Sequence, residues 1–168
     1  MSSYNQHFSV FLLILLSGSL NLLPKSSYSQ QNNNKVKNHQ IMEKKIITSS
    51  KAPEPIGPYS HAVLIGNTLY TSGQVGKNAA TGAMVQETIE AETHQVMQNL
   101  KAILNDAGMD FSHVVKTTIY CIDLNNFTRI NEVYGSYFTN NFPARETVQV
   151  ARLPLNANVE ISVVAIKP

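Results

Sequence analysis

Along residues 44–168 the apolar positions change period several times, and each change marks an element. Ser60–Ile65 and Thr68–Ser72 are short apolar stretches joined by Gly66-Asn67, a dipeptide suited to the positive φ angles of a tight turn. They predict two paired strands. Val96, Met97, Leu100, Ile103, Leu104 and Ala107 then recur at helical spacing. Glu90 and Glu92 lie near the positive helix start, and Gly108 stands where a left-handed cap belongs. A helix over 88–107 follows. His113–Cys121, dense in Val, Thr, Ile and Tyr, reads as a strand. Asp123 is a suitable N-cap for a second helix, with Phe127, Ile130, Tyr134, Tyr137 and Phe138 as one buried stripe. Thr147–Leu153 and Val159–Ile166 read as two further strands.

The order ββαβαββ implies an α+β fold with both helices on one face of a mixed sheet. In the last strand Val159, Ile161, Val163 and Ala165 point one way and Glu160, Ser162, Val164 and Ile166 the other, so both faces are substantially apolar. Two helices cover one face. The other is expected to be buried by another subunit.

At 168 residues, 43% hydrophobic and 14% charged, the chain suits one core. The net charge of +2 conceals an asymmetry: residues 1–41 hold three lysines and no acid, leaving 42–168 with ten basic and eleven acidic side chains, or −1. That is no footprint for nucleic acid. The single cysteine, Cys121, cannot form an internal disulfide, and no Cys/His spacing suits structural zinc. The apolar run Phe8–Leu16 and the polar tract that follows read as a signal peptide over 1–29 and a linker over 30–43. Ser27 and Ser29 suit cleavage before Gln30, although no Lys or Arg precedes the run. Export to a periplasmic or extracellular space, without stable membrane association after processing, is the expectation. A cytoplasmic protein starting at Met42 is the alternative. The run is short of the roughly 20 residues a membrane span needs.

Two charged residues interrupt apolar surroundings. Arg145, expected just ahead of a strand at a sheet end, could grip a planar carboxylate with two parallel hydrogen bonds, or could be an exposed or ion-paired arginine. Glu160 is the only acid of the final strand, and so needs a partner, a raised pKa or a water to activate unless it is a solvated edge residue. Gly57-Pro58 sets a turn presenting Tyr59, and Ser72-Gly73 allows a close backbone approach. TSGQVG lacks the Gly-Lys-Ser/Thr of a phosphate-binding loop. His61, His94 and His113 read as structural or exposed, and Cys121 as a buried strand residue.

Taken in order, AP-x-x-IGPYS-x-A, TSGQ-x-G, VVKTT-x-Y, DL-x-x-F-x-x-x-N-x-x-Y, PAR-x-x-V-x-V-A-x-LP and VEI resemble the RidA (YjgF) family, over about Ile46 to Lys167. The resemblance implies a chorismate-mutase-like α+β subunit, a homotrimer with a central β-barrel, and active sites in clefts between subunits. It also implies hydrolysis of 2-imino acids, 2-iminobutanoate and 2-iminopropanoate, to 2-keto acids and ammonia without a cofactor. By the same resemblance Arg145 grips the substrate carboxylate and Glu160 orients or activates water. Tyr59, Ser72, Gly73, Asn131 and Thr147 match pocket or supporting positions. Thr147 stands where some members have cysteine, His61 where glutamine is common, and Ser162 where a second acid is frequent. No thiol nucleophile is then needed, and the other two changes could shift substrate preference. An endoribonuclease or translation inhibitor of the same family, and a non-enzymatic carboxylate binder or holdase, are the alternatives. The −1 charge and the lack of paired histidines argue against RNA cleavage.

Overall fold

The computed structural model describes residues 43–168. The signal peptide expected over 1–29, and the 30–43 linker apart from Glu43, lie outside the described residues.

β1 (Lys44–Ile47), β2 (Ala62–Ile65) and β3 (Thr68–Thr71) form an antiparallel meander. At the β2–β3 turn only Gly66 takes a positive φ, 58°, as in a type II′ turn, so Asn67 needs no left-handed backbone. Asn67 instead ties the hairpin to the chain's end, its Nδ2 donating to the Lys167 carbonyl at 2.8 Å. A two-residue strand, β4 (Gln74–Val75), precedes α1 (Ile89–Asp106). Thr88 caps that helix by accepting from the Ala91 N–H at 3.1 Å, and Gly108 follows it at φ 70°. Asp110 caps a single 3-10 turn, Phe111–His113, so His113 belongs to this turn and β5 begins one residue later than expected, spanning Val114–Cys121.

Asp123 also caps a 3-10 turn, Leu124–Asn126, rather than the helix itself; its carboxylate accepts from the Asn125 N–H at 2.9 Å. α2 (Phe127–Gly135) follows directly. It ends before Tyr137 and Phe138, which leave the expected stripe and pack edge-on against Phe111 with centroids 5.4 Å away. β6 spans Ala144–Gln149, earlier than the strand expected over 147–153. Pro143 delivers the chain extended, so the ladder to β5 starts at once, pairing Ala144 with Lys116. It ends after the Val150 N–H donates to the Cys121 carbonyl, and Pro154 opens a 3-10 turn, Pro154–Asn156. Arg145 therefore lies inside a strand, not ahead of one. β7 (Val159–Ile166) matches its expected span.

The sheet order is β1-β2-β3-β7-β5-β6, with β4 also paired to β7; among the described strands only β5 and β6 run parallel. The pattern of the sequence does not predict β1, whose Lys44 and Lys45 break any apolar alternation, nor β4, which is too short for a period. The mixed sheet and two helices agree with the α+β expectation. Val159, Ile161, Val163 and Ala165 form one buried row of the core, together with Val96, Leu100 and Leu104 of α1. Truncating the fully buried Leu100 to Ala would cost about 2–5 kcal/mol. The opposite row leaves Ile46, Tyr70, Val148 and Ile166 exposed, on a face that the described residues do not cover. Lys116 pairs with Glu146 on that face.

One polar strut crosses the core. The fully buried carboxylate of Glu92 in α1 accepts from the Asn158 N–H at 2.8 Å and from Asn158 Nδ2 at 2.7 Å, just ahead of β7. Gly76 packs against it so closely that a Cβ there would stand 2.4 Å from Glu92 Cγ. Asn99 Nδ2 donates to the carbonyls of Val75 and Lys77 on the same side. Helix α1 thereby fixes the backbone just ahead of Glu160 and that of its β4 partner, Val75. Among the described residues no helix is long and apolar enough to cross a membrane, and no three His, Cys, Asp or Glu side chains are grouped to hold a metal ion.

Candidate functional site

The strand register divides the candidate residues into two groups. Arg145 pairs with Thr117, which pairs with Val163 of the buried row, whereas Glu160 pairs with Tyr120. Thr117 and Tyr120 are an odd number of positions apart, so Arg145 and Glu160 stand on opposite faces of the sheet.

Arg145 lies on the helix-covered side, at the parallel edge. Phe127, Asn131 and Tyr134 occupy one face of α2 at helical spacing, and the Arg145 guanidinium sits 5.0 Å from the Tyr134 ring centroid and 5.8 Å from that of Phe127. Tyr134 is itself fixed, its hydroxyl donating to Thr117 Oγ1 at 3.1 Å. Burial pushes the Tyr134 phenol up, opposed by that hydrogen bond and by the Arg145 charge. Among the described residues no carboxylate pairs with Arg145. Nearby in the fold, Thr147 on the same face of β6 and Asn131 on α2 each bury an oxygen that has no hydrogen-bond partner among the described residues. A stacked cation and two unpaired polar atoms suit a small ligand carrying both charge and hydrogen-bonding groups.

Glu160 borders a cavity of about 300 Å³ with Tyr59, His61, Ser72 and Gly73. Gly73 is required there by contact rather than by conformation: a Cβ would stand 1.9 Å from Glu160 Oε1. The half-buried carboxyl has no hydrogen-bond partner among the described residues, and burial pushes it above its ordinary value. Ser72 is already used, its hydroxyl donating to the Ser60 carbonyl at 2.6 Å and binding the Gly57–Ser60 turn to β3. Tyr59 folds back so that Oη accepts from the Ile56 N–H at 3.2 Å, leaving the ring half exposed at the cavity. His61 is buried and fully engaged. Its Nδ1 accepts from the Ser49 N–H at 3.1 Å, so Nε2 donates to the Pro53 carbonyl at 2.8 Å, holding the 49–53 segment in place. It is structural, as expected.

Tyr59, Ser72, Gly73 and Glu160 are thus brought together, and Arg145, Asn131 and Thr147 form the other group. Phe127 and Tyr134 read in the sequence as core alone. The polar Asn131 between them is the available signal that this stripe serves more than packing. Leu155, at the cavity rim, has no sequence signal.

The family model described as endoribonuclease L-PSP matches residues 49–167. Human 2-iminobutanoate/2-iminopropanoate deaminase is 46% identical over 124 residues, covering 74% of this chain and 90% of that protein. Protein DfrA of Myxococcus xanthus is 50% identical over 127 residues, covering 74% and 97%. Among solved structures, E. coli TdcF with bound serine superposes with a TM-score of 0.72 at 37% identity, covering 74% of this chain and 99% of that one. These names do not agree on an activity.

Proposed function

Because the chain belongs to the endoribonuclease L-PSP family, also called RidA or YjgF, we propose that it hydrolyses 2-imino acids to 2-keto acids and ammonia, in sites shared between two copies of the chain. The observation that carries this is the division just described: a stacked, unpaired arginine on one sheet face and a half-buried, unpaired carboxyl on the other. One subunit contributes Arg145, Asn131 and Thr147, and its neighbour contributes Tyr59, Ser72, Gly73 and Glu160. A homotrimer with the exposed Ile46, Tyr70, Val148 and Ile166 turned inward, as a central barrel, satisfies that pairing and covers the apolar face.

Arg145 holds the substrate carboxylate with two parallel hydrogen bonds, for which a planar fork is suited and a lysine is not. Glu160, its carboxyl pushed above its ordinary value by burial, accepts a proton from a water whose oxygen bonds to the C=N carbon. The proton taken by Glu160 passes to the imine nitrogen, giving the tetrahedral carbinolamine; its hydroxyl proton is then relayed to the amine nitrogen, and the C–N bond breaks as the C=O bond forms, releasing ammonia. No electron transfer occurs, so no redox cofactor is needed. The human relative's name supports this substrate class, as does the serine, an α-carboxylate, bound to TdcF. Small imino acids are the partners; nucleic acid is not, given the −1 charge of residues 42–168 and a buried, fully bonded His61.

An amino-acid oxidase generating the imine in the presence of this protein tests the reading. Keto-acid release should accelerate in proportion to added protein. No acceleration, or RNA cleavage by the same preparation in its place, would overturn it. Binding of 2-keto acids without any turnover would leave a carboxylate-binding module.

A further inference from the structure

The rim of the Glu160 cavity carries a strained residue. Leu155 holds φ 57° and ψ 22°, the left-handed region, which a side chain bearing a Cβ adopts at a cost and which Gly or Asn tolerate far better. The turn around it is tightly determined. Pro154 fixes its own φ, the Ala157 N–H donates to the Pro154 carbonyl at 3.0 Å, and Gln86 Nε2 donates to the Asn156 carbonyl at 2.8 Å. Core burial does not offset this strain, because Leu155 is 42% exposed. Ile56, 59% exposed, borders the same cavity on the 53–59 segment, and Pro53, Val75 and Pro154 add further apolar surface. Glu54 and Lys77 also border it.

We infer that Leu155 is a specificity-determining residue whose side chain, with Ile56, forms an apolar subsite for imino acids with longer, branched aliphatic side chains. This deepens, and for its catalytic part rests on, the imine-hydrolysis reading. Size agrees. With the carboxylate held outside it by Arg145 of the neighbouring copy, the cavity of about 300 Å³ has room for an aliphatic side chain, and a two-carbon one leaves a remainder. A leucine-derived imine would use that remainder and exchange solvent for two aliphatic side chains that otherwise stay wet.

The test compares wild type with Leu155→Asn, which keeps a left-handed backbone but removes the apolar group, and with Leu155→Gly, which removes the strain as well. The ratio of kcat/KM for the imine of leucine over that of alanine should favour leucine in wild type and fall about tenfold in both variants. Calorimetry with 4-methyl-2-oxopentanoate, pyruvate and 2-oxoglutarate supplies a readout without turnover. The branched keto acid should bind about tenfold more tightly than pyruvate, with the advantage lost in Leu155→Asn. An unchanged ratio, equal binding of the three keto acids, no binding at all, or preference for 2-oxoglutarate would overturn the inference. Branched-acid preference with no imine turnover would keep the subsite and overturn the hydrolysis reading instead.

Discussion

The two faces of the sheet handle charge in opposite ways. On the helix side Arg145 is spread over the rings of Tyr134 and Phe127, so its orientation is set by packing that exists without ligand. On the other side Glu160 has no such cradle; it lies against the bare backbone of Gly73 and is destabilised as an anion by burial. One group is prepared to hold a charge and the other to change its own. Recognition and proton transfer can therefore be built independently, on a stacked helix–strand pair and on a turn-rich meander, provided that a second copy brings them together.

Removing the cradle's cation should have the largest effect. Arg145→Ala should lower kcat/KM by roughly thirty- to several-thousand-fold, corresponding to about 2–5 kcal/mol, with Arg145→Lys recovering little. Steady-state kinetics on a preparation of native mass by light scattering checks this; near-native turnover would break the assignment. Next, Gly73→Ala must displace the Glu160 carboxyl, and a shift of that size can lower kcat by about a hundredfold. The nearest clashing atoms, Glu160 Cγ, Cδ and Oε1, all belong to one flexible side chain and not to backbone, so melting temperature should change little. In a double mutant with Glu160→Gln the two losses should not add.

Co-expressing Arg145→Ala with Glu160→Ala in equal amounts tests the sharing itself. Random pairing leaves roughly a quarter of the sites with both native groups, so activity should return to about that level. Two variants that remain inactive together would place both groups in one subunit's site. The smallest effect is on stability. The folded Glu160 carboxyl titrates above its unfolded value, so folding loses stability as pH rises through the folded pKa. Glu160→Gln should thus raise the melting temperature slightly at neutral pH, with the gain vanishing below the ordinary carboxylate value of about 4.3.

Long periodic segments are legible in the sequence. α1 and β7 appear where their apolar spacing places them, because each buries one continuous face. β6 starts earlier than its residues suggest because its parallel partner, not its own pattern, decides where the ladder begins. The members of the candidate site are legible through motif resemblance, but their division between two faces is not. That division follows from the register of β5 against both β6 and β7, a property of pairing that one strand's residues do not encode. The strain at Leu155 is invisible for a similar reason: leucine carries no turn signal, and the fold imposes the conformation.

β7 follows every other described strand along the chain and yet lies in the middle of the sheet, flanked by β3 and β4 on one side and β5 on the other. Until it leaves the ribosome, the meander and the β5–β6 pair have no common neighbour, and Glu92 has no Asn158 to bind. Folding must therefore wait for β7 and close loops as long as the 100-residue separation of Asn67 and Lys167. A chain cut short within β7 would leave β3 and β5 without the partner that joins them. Quality control then has a sharp criterion, because an incomplete product exposes two unpaired sheet edges.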